Sequence, residues 1–329
     1  MNNPKVIIIT TGGTIAMRFD TTTGSTSPAK SGQELIDSVP EIAQVAEVEL
    51  IEFSNIDSTE MTPQMMLELA QLAQTQLDRQ DVQGVIITHG TDTLEETAYM
   101  LDLVVDSLKP VVCTAAMRSF NEMGSDGPRN LLAAAKVACA ENCRNLGTLV
   151  VINDEIHAGR EVRKTYTSNV ATFESLGYGP VGIVDEDRVI IFRQSLLREH
   201  IQASRIEENV DLIEIAAGDK GKLIEFAVKN QSKGLVIAGL GRGNIPALAA
   251  EKVCDAIGKN IPVVLTSRCL KGRVLGVYGG SGGGKRIHEL GVIFGGDLSA
   301  PKARIKLMVA LGKTNDLNEI KKIFEKRFY

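Results

Sequence analysis

The chain has 329 residues, more than one hydrophobic core commonly serves, so two domains are expected. At 43% hydrophobic and 23% charged it has the composition of a soluble globular protein, and no apolar run is long enough to span a membrane. The formal net charge of -5, with basic residues scattered along the chain, excludes the basic footprint of a nucleic-acid-binding protein.

The chain opens on a β-branched run, "KVIIITT", which reads as a parallel strand buried on both faces. "TTGGTIA" follows at 10–16 and places hydroxyls and two glycines where the carboxyl end of that strand would lie. In open α/β sheets ligands sit at such ends. Glycine admits backbone angles and close approaches that a Cβ would block. "SGQELIDSVP" predicts a short helix stopped by Pro40, and "EVELIEF" predicts a strand. Thr62 and Pro63 then supply an N-cap and a first helical residue for "QMMLELAQLAQTQL". "GVIITHG" reads as a strand, and "LEETAYMLDLVVDSL" as an amphipathic helix. "PVVCTAAM" is expected as a strand, "GPRNLLAAAKVACA" as a helix and "GTLVVIND" as a fifth strand.

Such alternation predicts a doubly wound, mainly parallel sheet with right-handed crossovers, in the larger and N-terminal of two α/β domains. From about 185 to 210 the chain turns polar and fits no long helix or strand pair. Residues 1–193 are therefore read as the first domain and 194–210 as a linker. Residues 211–329 are read as a smaller, parallel-sheet α/β domain, with "DLIEI", "GLVIAGL", "IPVVLTS" and "RVLGVYG" as strands and two closing helices.

The five cysteines are odd in number and lack framework spacing, which fits a reducing compartment. No secretory signal follows Met1, so a cytoplasmic location is expected. Cys139 and Cys143, four residues apart, are expected on one helix face as small core residues. The four histidines form no metal-binding pattern, and neither metal nor cofactor is expected.

"THGTDTLEE", 88–96, repeats the opening logic of strand, glycine, hydroxyl and helix, and adds an acid, Asp92. Locally, Asp92 with Glu95 reads as a capping box for the following helix. Two Gly-Thr strand ends on one rim nevertheless point to a shared site.

"TTGGTIA" together with "THGTDTLEETAY" resembles the paired signature of the bacterial-type L-asparaginases, including the glutaminase-asparaginases. The resemblance continues through "AAMRSFNEMGSDGPRNLLAA", "GREVRKTYTSNVATF", "AGLGRGN" and "PKARIKL", in order and over nearly the whole chain. It implies hydrolysis of L-asparagine to L-aspartate and ammonia, with some action on L-glutamine possible, in a homo-oligomer built as a dimer of dimers. The small-molecule amino acid would be the partner, with no nucleic acid and no membrane. By resemblance Thr14 is the nucleophile, Thr91 the second reactive threonine, Asp92 the acid for the substrate ammonium and Lys164 their paired amine. Ser58, Thr59, Gly90, Asp92 and Ala116 would bind substrate, and Asn244 would reach the site from a neighbouring subunit's C-terminal domain.

The residue types suit that chemistry. A threonine hydroxyl is a poor nucleophile until a base removes its proton, a role open to a neutral lysine. Backbone N–H groups of glycine turns suit a developing oxyanion.

Three features depart from the family. The segment "MRFDTTTGSTSPAKSG" has no tyrosine where many members carry one, a place falling near Ser25 or Thr26. "GGSGGGKRIHEL" has glycines where the family places a glutamate. Thr59 stands where relatives often have glutamine, leaving the asparagine-over-glutamine choice open. These departures motivate a second reading, an aspartate- or asparagine-binding sensor with weak catalysis. A third rival is nucleotide binding: "GGSGGGKR", 279–286, matches a phosphate-binding loop except that Arg286 replaces the metal-binding Ser or Thr.

Overall fold

The computed structural model describes residues 3–20, 22–28 and 31–325, which divide into two compact units, one up to His200 and one from Ile201 onward. Unit one contains β1 (Lys5–Gly12), β2 (Met17–Asp20), β3 (Ser25–Pro28), α1 (Gly32–Asp37), α2 (Ile42–Val45) and β4 (Glu47–Ile56). It continues with α3 (Pro63–Leu77), β5 (Val82–Thr88), α4 (Leu94–Val104), β6 (Val111–Thr114), α5 (Gly127–Cys139) and β7 (Thr148–Ile152). Short strands complete it: β8 (Glu155–Ala158), β9 (Arg163–Lys164), β10 (Phe173–Glu174), β11 (Gly182–Asp185) and β12 (Arg188–Ile191).

The main sheet runs β12-β11-β8-β7-β6-β5-β1-β4. From β4 to β7 it is parallel, and β8, β11 and β12 add an antiparallel edge. Alternate residues of β1 serve opposite faces. Val6 and Ile8 pack with α1, α2 and α5 through Leu35, Ile42 and Leu131. Ile7 and Ile9 pack with α3 and α4 through Leu69 and Leu101. A strand buried on both faces has no polar side to alternate, which is why "KVIII" is continuously apolar. After β1 the chain goes to β4 on one side and then crosses to β5 on the other, so the order of strands reverses at β1. The carboxyl ends of β1 and β5 thus form the crevice where doubly wound sheets place ligands.

Unit two contains β13 (Val210–Glu214), α6 (Lys222–Lys229), β14 (Gly234–Gly239), α7 (Ala247–Gly258) and β15 (Val263–Ser267). It ends with α8 (Gly284–Glu289), β16 (Ile293–Phe294), α9 (Ala300–Lys313) and α10 (Leu317–Glu325). Its sheet, β13-β14-β15-β16, is parallel throughout, with α6, α7 and α8 supplying Ile224, Ala249 and Ile287 to one apolar core.

Several expectations are corrected. Residues 182–191 form a strand pair, closed at Glu186 with φ 47°, although the polar run from 185 gave no strand signal. Val189 and Ile191 are only half-buried, so the edge strand needs few apolar residues. "RVLGVYG" is not a strand: the place beside β15 is taken by Ile293–Phe294, and Val274 and Leu275 instead donate to Gly296 O and Arg242 O in loops. Cys139 and Cys143 do not share a helix face, because α5 ends at Cys139 and Cys143 lies in a separate 3-10 turn, Glu141–Cys143. The segment after the first motif forms the hairpin β2–β3. Ser25 there is exposed and hydrogen-bonds Thr23, while the side chain of Thr26 lies outside the described residues.

Candidate functional site

Four adjacent parallel strands end in sequence-predicted site residues. Thr14 follows β1, Ser58 follows β4, Gly90, Thr91 and Asp92 follow β5, and Ala116 follows β6. The turns after β1, β4 and β5 touch backbone to backbone. Gly13 has φ 80°, and a Cβ there would lie 2.3 Å from Gly90 N and 2.4 Å from its Cα. A Cβ on Gly90 would in turn meet Ser58 Oγ at 2.6 Å. Both positions therefore require glycine for space, and Gly13 also for its left-handed conformation. Gly13 N–H donates to Ile56 O at 3.1 Å, tying the first turn to the end of β4.

Past Gly13 the chain enters a 3-10 turn, Thr14–Ala16, which leaves Thr14 half-buried while Ile15 and Ala16 enter the core. Thr11 serves the fold, for its hydroxyl donates to Thr88 O at 3.0 Å and joins β1 to the end of β5. Ser58 is buried, and its Oγ accepts from the Asp92 N–H at 3.2 Å while its carbonyl accepts from the Thr93 hydroxyl at 2.6 Å. Thr59 is exposed in the same turn.

Lys164 comes from β9, in a two-stranded sheet separate from the main one. Its Nζ donates to Thr91 Oγ1 at 2.9 Å and to Asp92 Oδ1 at 2.6 Å. The Lys164 side chain is 18% exposed and that of Asp92 56%, so the trio sits at a rim with Thr91 buried beneath it. The arrangement unites a hydroxyl, an amine that hydrogen-bonds it, and a carboxylate facing solvent. The capping-box reading of Asp92 and Glu95 is overturned, since Thr93 is the N-cap residue of α4 and receives no side-chain cap. Asp92 pairs with Lys164, while Glu95 Oε2 accepts from the Lys164 main-chain N–H at 2.8 Å.

Two supporting groups carry no local signal in the sequence. His89 is fully buried, with Nδ1 2.7 Å from Gly90 O and Nε2 3.0 Å from Thr97 Oγ1. Burial drives its pKa down to about 4, partly opposed by the Gly90 carbonyl, so the ring is neutral near pH 7. Asp126 accepts from Met117 N–H at 3.0 Å and Arg118 N–H at 2.9 Å, which fixes the turn carrying Ala116. Only their place beside site residues, in "THG" and in the "SDGPRN" stretch of the resemblance, marked them.

Asn244 belongs to unit two. Its Oδ1 accepts from Gly284 N–H at 3.2 Å, and its Nδ2 donates to no other described residue. No strand leads into the glycine loop beside it, which is the context a phosphate-binding loop requires, since residues 273–279 lie outside any strand.

Residues 5–197 match the family model for the N-terminal asparaginase domain, and residues 209–324 match that for the glutaminase/asparaginase C-terminal domain. The chain is 36% identical to an L-asparaginase of Bacillus licheniformis over 311 residues, covering 94% of this chain and 96% of that protein. It is also 35% identical to a glutamyl-tRNA(Gln) amidotransferase component of Pyrococcus furiosus, over 97% of this chain and 75% of that one. The solved structure of a probable cytoplasmic L-asparaginase from Campylobacter jejuni superposes with a TM-score of 0.89 at 34% identity, covering 98% of this chain and 99% of that one.

Proposed function

The chain belongs to the asparaginase family, and from that premise we propose that it is an L-asparaginase working through a threonine ester. The observation that carries this reading is the Lys164 amine held within hydrogen-bond reach of both Thr91 and Asp92, beside the glycine turn that presents Thr14. In the proposed reaction the Thr14 hydroxyl adds to the side-chain amide carbon of asparagine. Its proton passes by way of the Thr91 hydroxyl to the Lys164 amine. Backbone N–H groups of the glycine turns receive the oxyanion. The C–N bond then breaks, the departing nitrogen takes that proton back from Lys164 and leaves as ammonia, and a β-aspartyl ester remains on Thr14. Water then adds to the ester carbon and gives a proton to the freed amine. The C–O bond to Thr14 breaks, the proton returns to the Thr14 oxygen, and aspartate is released. Asp92 would bind the substrate ammonium, with Ser58, Thr59, Gly90 and Ala116 forming the pocket. The proposed enzyme is a cytoplasmic homotetramer in which Asn244 of a neighbouring chain closes the site.

Ammonia release from L-asparagine and L-glutamine, measured in parallel near neutral pH, tests this reading. Rapid release from asparagine is expected, and the glutamine arm measures how far the pocket beside Thr59 accepts the longer substrate. The absence of a tyrosine between Met17 and Gly32 favours one second reading, a sensor that binds aspartate without turnover. Calorimetric binding of aspartate with no ammonia release from either amide would establish the sensor and defeat the enzyme.

A further inference from the structure

We infer that Glu95 is a positioning residue, which holds the main chain of Lys164 so that its amine meets Thr91; this rests on the role proposed above for Lys164. Glu95 lies in the first turn of α4, three residues after Asp92. Its side chain is 10% exposed, a costly place for a carboxylate without partners. Its Oε2 does not turn back to cap its own helix. It crosses to a segment 69 residues away and accepts from the Lys164 N–H at 2.8 Å. Its Oε1 lies 3.9 Å from Arg163 Nε, so the acid grips two consecutive residues of β9.

The flanks of β9 are held by other contacts, Val162 before it being buried and Thr165 and Tyr166 after it hydrogen-bonding Glu174 and Thr172, while the Lys164 N–H itself is held by Glu95. The strand is two residues long and pairs only with β10, where Phe173 opposite Lys164 is buried in the core. The Thr165 N–H donates to Thr172 O at 2.7 Å, whereas the Lys164 N–H goes to Glu95 and not to the partner strand. Lysine carries its amine on a flexible four-carbon stem, so the side chain does not fix Nζ by itself and its reach to the hydroxyl depends on where the main chain starts it. Thr91 and Asp92 immediately precede α4, and Glu95 belongs to it. One rigid element therefore presents the reacting hydroxyl, the substrate-facing carboxylate and the anchor for the amine that joins them. Glu95 thus ties the main chain that carries the amine directly to the element next to the hydroxyl.

The test compares Glu95→Ala, which removes the acceptor, with Glu95→Gln, whose amide oxygen can still receive the Lys164 N–H. In crystals of Glu95→Ala, Nζ is expected beyond hydrogen-bond reach of Thr91 Oγ1, more than about 3.5 Å away. Its kcat for asparagine should fall by about tenfold or more, as misplacement of a reacting group does. Glu95→Gln should keep the contact and stay within about threefold of the parent. Adding Glu95→Ala to Lys164→Met should cost no further activity, which a generally destabilising change would not reproduce. An unmoved Nζ in Glu95→Ala overturns the inference whatever the activity. A displaced Nζ with full activity upholds Glu95 as the anchor and instead defeats the role proposed for Lys164. If Glu95→Ala does not fold, hydrogen exchange in the parent decides: a protected Lys164 amide is expected, and exchange at the rate of an exposed loop overturns the inference.

Discussion

Lys164 Nζ joins Thr91 Oγ1 and Asp92 Oδ1 in one hydrogen-bonded group. In the proposed mechanism the amine is the base for the hydroxyls, and Thr91 is the path from the nucleophile to that amine. Thr14→Ala, Thr91→Ala and Lys164→Met are each expected to lower kcat by about 10³-fold or more, and the effects should not add. Steady-state ammonia kinetics check this, and near-normal turnover in any one variant removes that residue from the mechanism. His89 makes a different contribution, to stability. Its ring is neutral in the folded chain down to about pH 4, whereas the unfolded chain binds a proton below the ordinary value of 6.5. The unfolded state holds the extra proton between those values, so His89 supports folding fully above about 6.5 and progressively less as pH falls towards 4. The slope contributed in that window is at most about 1.4 kcal/mol per pH unit. Urea denaturation of the parent and of His89→Gln at pH 4.5 and pH 7 reads it: the parent should lose more stability on acidification, and equal losses would acquit His89. The sequence pointed to the strand ends after β1 and β5 because glycine and hydroxyl patterns are local, whereas Ser58, Thr59 and Ala116 came from the family resemblance. Lys164 came only from the family resemblance, since its partners are more than seventy residues away. Glu95 was misread because a capping box and a long-range anchor use the same residue at the same helix position.

At the level of elements, the site depends on two turns packed without side chains between them. A methyl group on Gly13 would overlap the Gly90 backbone, where no flexible atom can yield, and would also stand at φ 80°. Gly13→Ala should therefore force the ends of β1 and β5 apart and cost several kcal/mol, on the order of the larger strain and overpacking effects. A thermal melt with an activity assay checks this, and a Tm within a degree or two of the parent would show that the turns adjust freely. The parallel centre of the sheet was legible because strands buried on both faces are written as unbroken apolar runs. The antiparallel edge was not, because β11 and β12 need only one covered face and β9 and β10 are two residues each. In the second unit the apolar stretch 274–278 looked like a strand, but a sheet edge admits one neighbour, and Ile293–Phe294 holds it. Sequence pattern shows that a segment can pair; it does not show which of two candidates wins the position.

For the whole molecule, the decisive quantity is how open the site remains in one chain. The carboxylate that would hold the substrate ammonium is 56% exposed, and the amine beside it 18%. An ion pair so close to water contributes little by itself, and charge development at an amide is stabilised far better once water is excluded. The Nδ2 of Asn244, in the second unit, meanwhile donates to no other described residue and is available to a neighbour. If neighbouring copies cover each other's rims, activity must depend on concentration. Diluting the protein through its dissociation range should lower turnover per chain by on the order of tenfold or more, as loss of positioning groups does. Sedimentation velocity alongside the ammonia assay would follow both quantities in one buffer. Asn244→Ala should lower kcat/KM at high concentration while leaving the dissociation range unchanged, which separates loss of a contributing side chain from loss of assembly. Full turnover in a monodisperse monomer would mean that one chain completes its own site, and the shared arrangement would have to be abandoned.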